Sequence, residues 1–286
     1  MAGYTYRIVN VFAETAWSGN PLAVFEDARG LEDADMQLLA QQLNLSETTF
    51  VFPSDQADAR VRIFTPGYEL PFAGHPTLGT GWVLAQTTGK TEVTLAMNAG
   101  IIPVSADGLR MRLNANAPTY RDAVPAPLLA AALGLETAAI AGTARFVDTG
   151  AEQLVIPLKD AASVHGCNPP LDLFKQVATN ALGRTSALVW AHDGEAIVAR
   201  FFWIQGGSIG EDFGTGSACA NLGGWFLAEN VALPFETTMI QGHGINRLAH
   251  LTLQIDEDKQ IQVGGRVAEV GRGEFLWPER SARALA

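Results

Sequence analysis

Hydrophobic and polar residues alternate with a period of two along much of the chain, which predicts a protein rich in β-strands. A helical period appears at Leu31–Leu43, and Asn44 is placed to cap this helix. Pro76–Thr88 is apolar nearly all round, which predicts a helix buried on every side. The strands predicted in this half are Tyr4–Phe12, Leu22–Phe25, Thr48–Phe52, Arg60–Phe64, Thr91–Leu95, Ile101–Ser105 and Leu109–Leu113.

The second half of the chain repeats this order of patterns. An apolar helix is predicted at Ala218–Asn230, and shorter helices at Pro127–Leu133 and Leu171–Leu182. Ala115–Pro127 contains three prolines and few large apolar residues, so it is predicted to be a linker. The strands predicted in this half are Ala144–Val147, Gln153–Leu158, Ala187–Ala191, Ala196–Phe202, Thr238–Gln241, Leu248–Ile255, Gln260–Gly264 and Val267–Val270. Together the patterns predict the α+β class.

Two segments of the chain match each other in their order of residue types. Arg62–Leu84 and Arg200–Leu227 each contain an apolar strand led by arginine, a loop with an acidic residue, a glycine followed by a polar residue, and an apolar helix. The matched glycines, Gly74 and Gly216, lie 142 positions apart, about half the chain. This symmetry predicts two pseudosymmetric lobes, each a barrel-like sheet around a central helix, with the active site in the cleft between them.

Composition narrows the class of protein. The chain is 48% hydrophobic and 17% charged, which is typical of a folded globular protein. A net charge of −11 argues against nucleic acid or an anionic membrane as a partner, because both require a basic surface. Only Cys167 and Cys219 are cysteines, Met1–Phe12 has no signal-peptide pattern, and no apolar run approaches the roughly 20 residues of a membrane span. We therefore expect a reduced, cytoplasmic protein.

No metal site is predicted. The five histidines are scattered and form no H-x-x-x-H or H-E-x-x-H pair, and the two cysteines form no C-x-x-C motif.

The starts of the two apolar helices form the candidate site. Pro76 is predicted at the first helical position, with His75 at the N-cap. A buried helix start presents unpaired N–H groups and a partial positive charge, so two of them suit a carboxylate or phosphate without Lys or Arg. The alternative is that the glycines only permit tight turns, but their duplication favours a shared site. The polar residues near these junctions are Ser46, Glu47, Thr48, Thr49, His75, Asp212, Thr215 and Ser217.

Each of these side chains also has an ordinary structural role open to it. Glu47 is either a partly buried functional acid or an exposed residue at a strand start, and the local sequence favours exposure. His75 and Asp212 are each placed to serve as structural caps. Cys219 is expected to pack in the core as a small hydrophobic residue.

A serine-hydrolase motif is present but in the wrong context. Gly206–Gly210 matches the G-x-S-x-G nucleophile elbow around Ser208, and Asp256 and His250 are available as partners. The elbow has to turn directly into a helix, whereas here Gly210–Gly214 intervenes. We therefore do not expect a hydrolase.

The motifs together resemble the phenazine biosynthesis PhzF-like family, which has the diaminopimelate epimerase fold. The resemblance spans the whole chain, and its motifs occur in the expected order. They are Gly19–Pro21 followed by Leu-Ala-Val, Ser46-Glu47-Thr48, Gly74-His75, Glu211-Asp212, Thr215–Ala218 and Val263–Gly265. The resemblance implies an N-terminal lobe of residues 1–118, completed by residues 275–286, and a C-terminal lobe of residues 119–274.

The resemblance also implies a function and a set of site residues. The enzyme would be a homodimeric isomerase or epimerase that moves a proton on a small carboxylic acid, without metal or organic cofactor. Glu47 matches the general acid/base, His75 the histidine that orients substrate and assists proton transfer, and Asp212 the second acidic residue. The substrate-binding residues that the resemblance implies are Asn20, Ser46, Gly74, Thr215, Gly216 and Ser217.

One departure from the epimerase branch of that fold bears on mechanism. That branch uses two cysteines, one before the glycine at each helix start, and here those positions hold Ala73 and Thr215. Neither side chain can act as a base near neutral pH, so thiol-based racemisation is excluded. The alternative to an isomerase is a non-catalytic protein of the same fold that binds small carboxylates.

Overall fold

The computed structural model describes residues 2–277, which form a mixed α+β protein. The strands are β1 (Ala2–Val11), β2 (Asn20–Phe25), β3 (Glu47–Phe52), β4 (Ala59–Phe64), β5 (Glu69–Leu70), β6 (Glu92–Met97), β7 (Gly100–Asp107), β8 (Arg110–Asn114), β9 (Thr119–Asp122), β10 (Arg145–Asp148), β11 (Gln153–Pro157), β12 (Ser186–Asp193), β13 (Ala196–Gln205), β14 (Ser208–Glu211), β15 (Phe235–Gln241), β16 (Ala249–Ile255) and β17 (Ile261–Trp277). The α-helices are α1 (Asp33–Leu43), α2 (Gly74–Thr88), α3 (Ala126–Leu133), α4 (Ala161–Gly166), α5 (Leu171–Ala178) and α6 (Gly216–Ala228). Two 3₁₀ helices occupy Thr137–Ala139 and His243–Ile245.

The chain divides into two compact units. One comprises residues 2–113 with residues 266–277, and the other is Asn114–Gly265. The lobe boundary expected at residues 118 and 119 stays a prediction. Its completion by residues 275–286 falls largely on residues 278–286, which lie outside the described part of the chain.

In the first unit, eight strands close on themselves. The pairing runs β1–β2–β3–β4–β6–β7–β8–β17 and returns from β17 to β1. Helix α2 contacts β1, β2, β3, β6 and β7, so it is the central helix of this barrel. That position explains why its sequence has no polar face. Gly81 of α2 permits close approach to the sheet, because a Cβ there would lie 3.0 Å from Cγ1 of Val104.

The second unit repeats the connectivity of the first. β10 to β13 pair in the same succession of antiparallel, parallel and antiparallel ladders as β1 to β4. β13 then pairs parallel with β15, as β4 pairs with β6, and α6 lies between them in sequence as α2 does. Gly223 corresponds to Gly81, and a Cβ there would lie 2.9 Å from side-chain atoms of Leu253 and Ile261. The repeat seen in the sequence is therefore also a repeat of strand pairing.

The matched arginines make matched ion pairs. Nε and Nη2 of Arg62 donate to the two carboxylate oxygens of Glu69 at 2.8 and 2.6 Å. Nε and Nη2 of Arg200 donate to those of Glu211 at 3.0 and 2.7 Å. Each bidentate pair ties a long strand to the short strand that leads toward the central helix.

Several elements differ from the sequence prediction. The predicted linker contains β9, which pairs with β10 but exposes all four of its side chains and so has no alternating pattern. The two strands predicted around Gly264 and Gly265 are one continuous strand, β17, and Gly264 itself pairs with Thr252. The short elements α4, β5 and β14 were not predicted, because they are too short to display a period.

No helix within residues 2–277 is long and apolar enough to cross a membrane.

Candidate active site

Helix α2 begins two residues earlier than predicted. Its first residue is Gly74, Ala73 is the extended N-cap, and the first ladder bond joins Thr77 N to Ala73 O at 3.2 Å. His75 is therefore the second helical residue and not the N-cap, and Pro76 is the third and not the first. Proline tolerates any position in the first turn, since no N–H group there has an intrahelical acceptor, so it marks the turn but not the first residue.

Glu47 and His75 are brought together at the start of α2. Glu47 is the first residue of β3, which pairs parallel with β2, so that the beginnings of both strands lie at one end of the ladder. Oε2 of Glu47 lies 3.4 Å from Nε2 of His75, and the two side chains are only 17% and 6% exposed. The exposure predicted for Glu47 is therefore wrong, because the local sequence does not reveal that the start of α2 lies beside it.

The imidazole of His75 is neutral at physiological pH. Burial lowers its pKa to about 3, and a hydrogen bond with the backbone of Pro21 raises it by less. Proline has no N–H, so the imidazole is the donor and the Pro21 carbonyl the acceptor. This bond is made by Nδ1, because Nε2 makes no hydrogen bond of its own.

The proton on Nδ1 determines which kind of group His75 presents to Glu47. A neutral imidazole has one N–H, and Nδ1 uses it on the Pro21 carbonyl. Nε2 therefore presents its lone pair toward Oε2 of Glu47. A lone pair facing a carboxyl oxygen favours the protonated carboxylic acid, which can donate, over the carboxylate, which cannot.

In the second unit, Asp212 and Thr215 are held by a buried glutamine. Gln241 is 0% exposed; its Nε2 donates to Asp212 O at 2.9 Å and to Thr215 Oγ1 at 3.0 Å, and its Oε1 accepts from Thr215 N at 3.1 Å. Since Thr215 Oγ1 accepts from Gln241, its own proton goes to Asp212 Oδ2, 2.6 Å away. Phe213 N donates to the other oxygen, Oδ1, at 2.8 Å. The Asp212 carboxylate is therefore fixed in direction beside the start of α6.

Ser217, in the first turn of α6, lies at the end of a second chain of hydrogen bonds. Gln153 Nε2 donates to Ser217 Oγ at 2.9 Å, and Gln153 Oε1 accepts from Asn221 Nδ2 at 2.8 Å. Asn221 in turn accepts from Thr149 N at 2.9 Å and donates to Ala151 O at 2.8 Å. Gln153 is 7% and Asn221 0% exposed, so the network is internal to the second unit.

The remaining predicted residues lie at the same two places. Asn20 is fully buried at the start of β2 and directly precedes Pro21, whose carbonyl holds His75. Ser46 and Gly74 are half-buried beside Glu47 and His75 in sequence. Gly216 is buried as the first residue of α6, with Thr215 as its extended N-cap. The predicted residues thus form one group at the start of α2 and another at the start of α6.

Sequence reasoning missed the residues that hold these groups. Pro21, Gln153, Asn221 and Gln241 were not singled out. Asn221 was detectable, because it follows Ser217 by four positions on an apolar helix and therefore lies on the same face. Gln153 and Gln241 stand at strand ends, where glutamine is unremarkable, so no signal in the sequence marked them.

Both cysteines are buried free thiols. Cys219 is 0% and Cys167 4% exposed, and burial raises the pKa of both thiols, that of Cys167 to about 12. The expectation that Cys219 packs in the core is confirmed. The helix-start positions that would carry thiols in a two-cysteine racemase are the N-caps Ala73 and Thr215.

The G-x-S-x-G motif forms a hairpin. Gln205 and Ser208 are paired residues of β13 and β14, and Gly206 and Gly207, both with positive φ, form the two-residue turn between them. Ser208 is exposed and its Oγ donates to Gln205 O at 3.3 Å. This position is a hairpin and not a strand-to-helix turn, so the motif does not form a nucleophile elbow.

Within residues 2–277, no three His, Cys, Asp or Glu side chains cluster in a way that would hold a metal ion.

Proteins similar to this chain in sequence are named as isomerases. A relative named as an uncharacterized isomerase of Pasteurella multocida is 41% identical over 290 residues, covering 96% of this chain and 95% of the relative. The trans-2,3-dihydro-3-hydroxyanthranilate isomerase of Pseudomonas aeruginosa is 34% identical, covering 94% of this chain and 98% of that enzyme. The fold and these relatives together define an isomerase.

The family follows from the match over nearly the whole chain. Residues 9–273 match the PhzC-PhzF family, described as phenazine biosynthesis-like protein. The crystal structure of a PhzF-family phenazine biosynthesis protein from Bacillus anthracis superimposes with a TM-score of 0.85 at 25% identity, covering 97% of this chain and 100% of that one. The chain belongs to the PhzC-PhzF family.

Proposed function

We propose that this isomerase moves a proton between carbon atoms of a small carboxylic acid by acid/base catalysis, with Glu47 as the group that carries the proton. The observation that carries the proposal is the contact between Glu47 Oε2 and the neutral imidazole Nε2 of His75, 3.4 Å apart. Such a contact favours the protonated form of a carboxyl group, and a group that must both donate and accept a proton needs its acid form to be accessible.

His75 contributes as a fixed acceptor rather than as an acid. Its pKa of about 3 keeps it neutral in the working pH range, so it does not supply the catalytic proton. Its lone pair favours protonated Glu47 and directs that proton. Low exposure of Glu47 adds a desolvation cost to its charged form, which favours the protonated acid.

The second group of residues would bind the polar groups of the substrate. The first turn of α6 presents the N–H groups of Gly216 and Ser217, and the helix dipole favours a carboxylate there. Asp212, an acceptor fixed by Thr215 and Phe213, suits a donor such as an amino or hydroxyl group. As part of the proposal, both groups of residues act on one substrate, as the family resemblance implies.

The substrate class follows from the same chemistry. A carboxylate for the start of α6, a donor for Asp212 and an allylic C–H for Glu47 together describe an unsaturated amino or hydroxy carboxylic acid. The substrate in the name of the Pseudomonas aeruginosa relative, a dihydro-hydroxyanthranilate, is of this class. We propose the class, with the particular acid left to experiment.

The mechanism needs neither a thiol nor an added cofactor. Proton transfer through a carboxyl group is complete in itself, since Glu47 can take a proton from one carbon and return it to another. Ala73 and Thr215 supply no base, and both cysteines are buried with raised pKa values. The homodimer, the cytoplasmic location and the absence of nucleic-acid or membrane partners stay predictions.

Hydrogen–deuterium exchange tests the proposal directly. The protein, treated with EDTA, is incubated in D₂O with a panel of cyclohexadiene and β,γ-unsaturated amino and hydroxy carboxylic acids, and ¹H NMR follows loss of each C–H signal. We expect at least one acid to exchange or isomerise with wild-type protein and not with Glu47→Gln. If acids bind but none exchanges, the protein is a carboxylate-binding relative and the isomerase proposal fails.

A further inference from the structure

The hydrogen bonds behind Ser217 run in one direction, and that direction is set by backbone groups. Thr149 N is a donor and Ala151 O an acceptor, which fixes Oδ1 and Nδ2 of Asn221 in their places. Asn221 Nδ2 then requires Gln153 to present Oε1 to it, which turns Nε2 of Gln153 toward Ser217. Flipping the Asn221 amide would break its two contacts with the backbone, and flipping the Gln153 amide would set its Nε2 against Nδ2 of Asn221, donor against donor.

The fixed direction of these hydrogen bonds determines how the hydroxyl group of Ser217 can act. Its oxygen accepts from Gln153 Nε2 at 2.9 Å, so its own proton must point elsewhere. Among the described residues no acceptor takes that proton. The hydroxyl proton is therefore available for donation to a ligand at the start of α6.

We propose that Asn221 and Gln153 are positioning residues that keep Ser217 a hydrogen-bond donor and so make this site selective for a carboxylate over its neutral amide. This inference rests on the proposed function, because it assigns the carboxylate of that substrate to Ser217. A carboxylate accepts only, so it can use the serine proton and the helix N–H groups together. A neutral amide has one oxygen acceptor and one NH₂ donor. Its NH₂ group would therefore face an O–H or N–H donor of the site and find no acceptor there.

Asn221, Gln153 and Ser217 form a relay of hydrogen bonds, and the burial of its two amides keeps their direction fixed. Gln153 and Asn221 are 7% and 0% exposed, and a buried amide that loses a partner is costly. All four amide heavy atoms have partners, so the direction is stable. The Ser217 proton is the end of the relay and is left for a ligand.

Gln153→Glu reverses the direction without changing the shape of the side chain. A glutamate at this position still accepts from Asn221 but now also accepts from Ser217, so the serine proton turns away from the ligand. The matched control is Gln254→Glu, the same change on β16 in the same unit. Gln153→Met, which has no donor and only a weak acceptor, serves if the buried carboxylate prevents folding.

The test measures binding of 2-aminobenzoate and 2-aminobenzamide by isothermal titration calorimetry, with folding checked by circular dichroism. We expect wild type and Gln254→Glu to prefer the carboxylate by about tenfold or more, because hydrogen bonds to charged groups are the strong ones. Gln153→Glu and Ser217→Ala should each lose most of this preference, Gln153→Met part of it, and the double variant Gln153→Glu with Ser217→Ala no more than Ser217→Ala alone.

Three results would overturn the inference: a wild-type protein without the preference, Gln153 variants that retain it, or losses that multiply in the double variant. The proposed isomerase reaction fails separately. If no Glu47-dependent proton exchange is found but the carboxylate preference still depends on Gln153, the catalytic proposal fails. The positioning role of Gln153 and Asn221 then still stands.

Discussion

His75 faces Glu47 with a lone pair and not with a proton. Nε2 of the imidazole lies 3.4 Å from Oε2 of the carboxyl group, while the single N–H of the neutral ring is given to the Pro21 carbonyl. The two residues come from the starts of α2 and β3, which the barrel of the first unit brings side by side. In the proposed mechanism this arrangement places the mobile proton on Glu47, and it has consequences for stability as well as for chemistry.

The first prediction concerns acid stability. His75 has a folded-state pKa of about 3 against 6.5 for the unfolded chain, so between these values the unfolded state binds the proton and the folded state does not. The stabilisation is fully present above pH 6.5 and is lost as the pH falls toward 3, by about 1.4 kcal/mol per pH unit. Urea unfolding of wild type at pH 7, 5.5 and 4.5 measures it.

His75→Gln removes this part of the pH dependence, so its unfolding free energy should fall less steeply between pH 6.5 and 4.5 than that of wild type. His192→Gln, which changes an exposed histidine, serves as the control and should retain the wild-type slope. Equal slopes for His75→Gln and wild type would contradict the neutral buried imidazole.

The second prediction compares the matched ion pairs. Glu211→Gln leaves Arg200 without its carboxylate partner in a site where both side chains are about 10% exposed (12% and 8%). Glu69→Gln leaves Arg62 with Asp33, 2.6 Å away. We expect Glu211→Gln to lower the free energy of unfolding by about 3 kcal/mol and Glu69→Gln by about 1 to 2 kcal/mol. Chemical denaturation measures both; equal losses would show that the retained Asp33 contributes nothing.

The third prediction concerns the thiols. Because Cys167 and Cys219 are buried with raised pKa values, neither should react with Ellman's reagent in the folded protein, and both should react after unfolding. Cys219→Ala should keep the proton-exchange activity. Rapid labelling of the folded protein together with loss of activity would indicate thiol chemistry and contradict the one-carboxyl mechanism.

The sequence predicts much of the fold because its signals are local and repeated. Two apolar helices, each beginning with glycine and a polar residue, are detectable by composition alone, and both are buried along most of their length. The strands β5, β9 and β14 were not predicted, because they are short or have no alternating pattern. Their positions depend on pairing partners that lie far away in sequence.

The sequence singles out the residues of the candidate site but does not reveal their burial or the direction of their hydrogen bonds. Glu47 was expected to be exposed, since nothing near it in sequence shows that the start of α2 lies against it. The direction of each hydrogen bond was equally hidden. Gln241 and Gln153 decide which way the hydroxyls of Thr215 and Ser217 point, and they are 26 and 64 positions away in sequence.

The central claim is that Glu47 carries the proton, and the rate of C–H exchange in D₂O measures it. The variant is Glu47→Gln, and the control is Glu92→Gln, an exposed glutamate that also begins a strand. With a substrate identified for wild type, we expect Glu92→Gln to exchange at the wild-type rate and Glu47→Gln to lose a factor of about 10² to 10⁴. Exchange by a folded Glu47→Gln protein at the wild-type rate would contradict the account.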